Sequence, residues 1–123
     1  MSFHRLHIAT ASAALLAAFA ACGPAGAAEA AILQGLDKIT ARISTIKAPV
    51  GRPVRFGTLE ITVRACDKRP PEEPLESAAY MEIRELRPGE PPARVFAGWM
   101  FASSPALSAL EHPVYDVSVK DCE

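Results

Sequence analysis

Apolar and polar residues alternate most regularly over Leu59–Cys66. Leu59, Ile61, Val63 and Ala65 fall on one face of an extended chain, and Glu60, Thr62, Arg64 and Cys66 on the other. A period of two marks a half-buried β-strand. The same period recurs within Leu36–Ala48, where Ile39, Ala41 and Ile43 alternate with Thr40, Arg42 and Ser44. There the phase slips by one before Ile46, which predicts a bulge or bend near Ser44-Thr45. Ala79, Met81 and Ile83 share a face within Ser77–Leu86. Within Val114–Cys122, Val117 and Val119 lie with Tyr115, while Asp116, Ser118, Lys120 and Cys122 take the other face. Val54–Phe56 is a short apolar strand, and Ala28–Gly35 reads as a lead-in with an apolar patch at Ile32 and Leu33.

Ala93–Ala102 is apolar on both sides. Val95, Ala97, Trp99 and Phe101 face one way, and Phe96, Gly98 and Met100 the other, the pattern of a central or doubly covered strand. The turn cluster Arg87–Pro92 joins it to Ser77–Leu86 as a hairpin. Asp67–Glu76 holds three Pro and six charged residues and reads as an exposed loop. Ser103–His112 predicts one short helix, with Ser104 as its cap, Pro105 in its first turn and His112-Pro113 as its stop. Together these elements predict a mainly β domain: a small antiparallel sandwich or partly open barrel of five to six strands, with one short helix near the C-terminus.

The first residues carry a different pattern. Met1–His7 has one Arg and no acid, Ile8–Ala21 is uncharged and rich in Ala and Leu, and small residues follow Cys22-Gly23-Pro24. A basic start, a short apolar run and a small-residue exit describe a secretory signal peptide. The expected division is a signal over 1–27, a lead-in over 28–35 and a single β domain over 36–123. Ala25-Gly26-Ala27 fits cleavage that releases a chain near Ala28. The alternative cut, before Cys22, would make that residue a lipidation site and the protein membrane-anchored.

Export changes the meaning of the three Cys residues. With Cys22 removed or acylated, Cys66 and Cys122 remain, 56 residues apart, and read as one disulfide. Placing each at a strand end predicts that those ends meet. Two Cys and one His beyond the signal make a poor tetrahedral set, so no metal or other cofactor is expected. A net charge of −1 argues against a nucleic-acid partner.

The stretch from Leu33 to Cys122 resembles a family of exported, uncharacterised alphaproteobacterial proteins, the domain of unknown function 2155. The resemblance is carried by Leu36–Arg42, Phe56–Ile61, Arg64-Ala65-Cys66, Arg69–Pro74, Gly98–Leu107 and Leu110–Val117. It implies an envelope location and assigns no activity.

His112 is the first catalytic suspect, because a general base wants a pKa near the working pH. Ser103, Ser104, Asp116 and Asp121 supply the other residue types of a Ser-His-Asp set, but no strained nucleophile elbow accompanies them. A capping Ser and a helix-ending His explain the same positions. Trp99, Met100, Phe101 and Tyr115 form the candidate interaction surface, since aromatic residues and Met are favoured at interfaces. The expected function is a non-catalytic periplasmic binding or envelope-assembly module acting on a protein or envelope component. A small hydrolase centred on His112 and a lipid-anchored structural protein are the alternatives.

Overall fold

The structure is a computed structural model that describes residues 27–123. The signal segment, apart from Ala27, and the lipidation candidate Cys22 lie outside the described residues. Seven strands are described: β1 (Ala30–Asp37), β2 (Arg42–Pro49), β3 (Val54–Phe56), β4 (Leu59–Lys68), β5 (Ser77–Glu85), β6 (Ala93–Phe101) and β7 (Tyr115–Cys122). They form two open antiparallel sheets, one in the order β2-β1-β7 and the other β3-β4-β5-β6. Alternation dictates which side chains meet between them. Ala31, Leu33, Ala48, Val117 and Val119 face inward from the first sheet. Leu59, Ile61, Val63, Met81 and Ile83 face inward from the second.

The β5–β6 hairpin and the extended state of Ser77–Glu85 follow the predicted pattern. Five expectations need correction. The lead-in is largely β1, the central strand of the first sheet. It reads as a linker because its inward positions are small or shared with glycine: Ala31, Leu33 and Gly35. Ile39 and Ala41 lie in the turn between β1 and β2, where Asp37 accepts the backbone N–H groups of Ile39 and Thr40. Their alternation is accidental, and Ile39 is 76% exposed. No bulge occurs near Ser44-Thr45, because β1 and β2 pair in unbroken register from Ala30–Pro49 to Asp37–Arg42. The strand β6 is an edge, not a centre, so its outward apolar residues meet solvent. Finally, the helix over Ser103–His112 is replaced by a single 3-10 turn, Pro105–Ser108, and no α-helix occurs among the described residues. Ser104 makes no capping hydrogen bond, and Ala109 is already extended. This segment must cross from β6 in one sheet to β7 in the other while burying Leu110, which leaves no length for regular helical turns.

Of the three bulges that do occur, one lies at Val95 between β5 and β6, and the other two govern the disulfide. Between β4 and β5 the register jumps at Arg64, and between β1 and β7 it jumps at Lys120. Each extra residue reverses the side-chain parity that follows it. Simple alternation sends Cys66 and Cys122 away from the core; after the bulges both turn inward, 2% and 3% exposed. They bond across the two sheets with Cα atoms 5.7 Å apart. The predicted meeting of the two strand ends is therefore present.

Replacing both cysteines with alanine should lower unfolding stability by about 4 kcal/mol, the loop-closure value for a 56-residue separation. Urea titration of the double variant measures it. A second substitution tests the packing at β1. A Cβ added at Gly35 would lie 2.7 Å from the Phe56 ring, so Gly35→Ala should cost about 1–3 kcal/mol through overpacking. At Gly89, where nothing lies within 4 Å, only the positive φ opposes alanine, and the same titration should read about 1–2 kcal/mol.

Candidate functional site

Three polar or exposed regions hold the residues with chemical potential. The first surrounds His112, which is 7% exposed. Its Nδ1 accepts the backbone N–H of Val114 at 3.0 Å and of Tyr115 at 3.1 Å. The ring proton therefore sits on Nε2, which faces Glu85 Oε1 at 3.2 Å and donates to it. Arg87 Nε donates to the same oxygen at 3.0 Å, and the Thr58 hydroxyl reaches it at 3.4 Å. The hydrogen bond from His112, helped by Arg87, holds the Glu85 carboxyl below the ordinary glutamate value. Lys38 Nζ donates to the His112 carbonyl at 2.7 Å and pairs with Asp116 at 3.1 Å. The Tyr115 ring packs between His112 and Phe56. A general base needs a lone pair aimed at substrate. Here the Nδ1 lone pair is taken by two backbone groups, and the side chain fastens the β6–β7 connection to the end of β5.

None of the proposed triad partners hydrogen-bonds the His112 ring; two of them build the second region, beside the disulfide. Asp121 accepts from Lys68 Nζ at 2.9 Å, from the Cys122 backbone N–H at 2.9 Å and from the Ser77 hydroxyl at 3.5 Å. Lys68 is the main reason that this carboxyl titrates below the ordinary aspartate value. Glu76 accepts from the Ser103 hydroxyl and from the backbone N–H groups of Ser103 and Ser77. Those bonds lower its pKa, the Ser103 hydroxyl most of all. A carboxylate so satisfied is a weak base for the serine it holds. A depression of about 390 Å³ opens between these groups, with Lys120 and Leu75 at its walls.

The third region is the outward face of the β3-β4-β5-β6 sheet. Trp99 on β6 is opposite Tyr80 on β5, with ring centroids 5.7 Å apart in an edge-to-face contact. Trp99 remains 39% exposed. Phe101 shares its face and is half-buried. The other two predicted surface residues do not join them. Met100 points into the core at 3% exposure, and Tyr115 lies inside the opposite end of the sandwich. Below the aromatic pair runs a charged lattice, in which Arg84 bonds Glu60 and Arg64 bonds Glu82. Tyr80 was readable in advance as the outward neighbour of Ala79 and Met81; Glu85 and Glu76 carried no such signal, because their partners are 27 residues away. Among the described residues no three His, Cys, Asp or Glu side chains gather to hold a metal ion. No described helix is long and apolar enough to cross a membrane.

Comparison with known proteins agrees with the sequence resemblance. The family described as an uncharacterised protein conserved in bacteria, domain of unknown function 2155, matches residues 31–122. An uncharacterised protein of Rickettsia prowazekii (strain Madrid E) is 37% identical over 87 residues, which span 71% of this chain and 56% of that relative. The aligned part is thus little more than half of the relative's length. No solved structure matches the chain.

The Glu85–His112 contact has a defined pH dependence. Because the folded-state pKa of Glu85 is depressed, its contribution is complete above the ordinary glutamate value of 4.5 and is lost as pH falls through the lower folded value. Glu85→Gln should therefore be less stable than the parent at pH 7 by urea titration. The gap between the two should close as the buffer is taken toward pH 3.

Proposed function

We propose, for a chain that belongs to the bacterial family domain of unknown function 2155, a non-catalytic role as an exported binding module. Its contact face is the outward face of the β3-β4-β5-β6 sheet. The observation that carries this reading is Trp99: a tryptophan 39% exposed and braced edge-on by Tyr80 on the outward side of this sheet. Large aromatic side chains supply contact area at little entropic cost and dominate binding energies at protein interfaces. The binding reading is further supported by the fate of the catalytic suspect, since His112 is spent on fastening a loop.

Export is supported by the N-terminal pattern and by the disulfide, which persists in oxidising compartments such as the periplasm. The partner is a protein or envelope component. A lipid tether at Cys22 fits the same role. Ala28 donates to the Cys66 carbonyl and Ala27 bridges to Asp67, so the described chain enters beside the disulfide at one end of the sheets.

A photo-crosslinking residue placed at Ala97, exposed on the Trp99 face, should give a discrete adduct in intact cells. The same residue at Ile43, exposed on the other sheet, should give none. Trp99→Ala should reduce the Ala97 adduct about tenfold or more while leaving thermal stability nearly unchanged. Equal labelling from both positions, or none from Ala97, overturns the assignment of this face.

A further inference from the structure

The charged end of the same sheet face is a shaped groove with an unusual charge arrangement. Arg84 on β5 and Arg94 on β6 are directly opposite in register and point to the same side. Like charges placed so repel each other. Glu60 neutralises Arg84 and Glu82 neutralises Arg64. No ion pair engages Arg94 among the described residues. The three guanidinium groups and two carboxylates line a depression of about 350 Å³, walled on the far side by the turn at Gly51 and Pro53. Thr62 lies in its floor. This residue is 8% exposed, and its hydroxyl takes part in none of the side-chain hydrogen bonds among the described residues. No side-chain polar atom among the described residues is buried without a partner, so this hydroxyl is open to the groove; beneath a guanidinium with no ion pair, it is placed to donate to an incoming ligand atom that both groups can hold.

We propose that this groove binds a carboxylate group. The lining's three positive and two negative side chains leave an excess of positive charge, and Arg55, opposite Glu60 in register, adds to it beside the groove, so the field favours an anion. Arg94 presents the planar fork that carboxylates accept in bidentate fashion, and the Thr62 hydroxyl donates to the same group from below. Glu60 and Glu82 retain acceptor capacity for a hydroxyl or amide N–H next to the carboxylate, so the ligand is a polar acid and not a bare anion. A peptide acid and a sugar acid share that chemistry. The inference rests on the reading of this face as the binding face and names the chemistry at one end of it.

The test is a titration of the purified, oxidised protein, followed by the side-chain Nε–Hε signals of Arg84 and Arg94 in two-dimensional NMR. The probes are N-acetylalanine and glucuronate, with N-acetylalanine methylamide and glucose as neutral controls at constant ionic strength. Saturable shifts at both arginines with at least one acid, and with neither control, are expected. Response to one acid alone identifies the source, and equal response to both shows that only the carboxylate is read. Arg94→Gln, at an exposed position, should weaken binding at least tenfold, and Thr62→Val severalfold, with the rest of the spectrum unchanged. Absence of saturable shifts with both acids, or Arg94→Gln binding as the parent does, overturns the proposal. If the acids fail while crosslinks still form from Ala97, the carboxylate site falls and the binding face stands. If the acids bind and no crosslink forms, the site stands and the face assignment falls.

Discussion

A covalent bond between Cys66 and Cys122 takes the place of core volume in this fold. The largest fully buried side chains are Leu33, Leu59, Ile61, Val63, Met81, Ile83 and Val119, a modest apolar interior for two sheets. Domains this small bury a low fraction of their surface and need supplementary restraint. The disulfide supplies it at the most effective place, between β4 of one sheet and β7 of the other. At the opposite end of the sandwich the restraint is polar: His112, Glu85 and Lys38 tie the β6–β7 connection to β5 and to β1's trailing turn. The apolar layer between is thus closed at one end by a covalent clasp and at the other by hydrogen bonds.

Strand identity was largely legible in the sequence because alternation reports burial directly. The core positions Leu59, Ile61, Val63, Met81, Ile83, Val117 and Val119 are those that the period of two selects. What alternation cannot report is where a strand sits in its sheet. Ala93–Phe101 is apolar on both sides, yet it is an edge, and its outward Trp99 faces solvent. Nor does it report tertiary necessity. Ser104 and Pro105 form a respectable helix start in isolation, but the chain must reach the second sheet by Tyr115 and bury Leu110 on the way. Only one 3-10 turn survives that demand.

The candidate site was legible in part. The alternation of β6 places Trp99 and Phe101 on one face, as found. Nearness in sequence suggests Met100 and Tyr115 as their companions, whereas parity sends Met100 inward and Tyr115 packs against the core. The groove beyond was invisible, because Thr62, Arg64, Arg84 and Arg94 come from three strands and read individually as an ordinary solvated face. Their juxtaposition depends on strand pairing between β4, β5 and β6, which no local pattern specifies.

The two bulges that precede the cysteines carry a consequence for how this chain can vary. At Arg64 and Lys120 it is the presence of one more residue, not its chemical character, that turns the following cysteine toward its mate. Side chains there are free to diverge under other pressures, and Arg64 is available to line a groove for that reason. A one-residue deletion at either point is a different event, because it would rotate a sulfur to the outside and strand its counterpart within. Over evolutionary time these two positions should tolerate replacement readily and loss hardly at all, a constraint on spacing that comparisons of residue identity alone would miss.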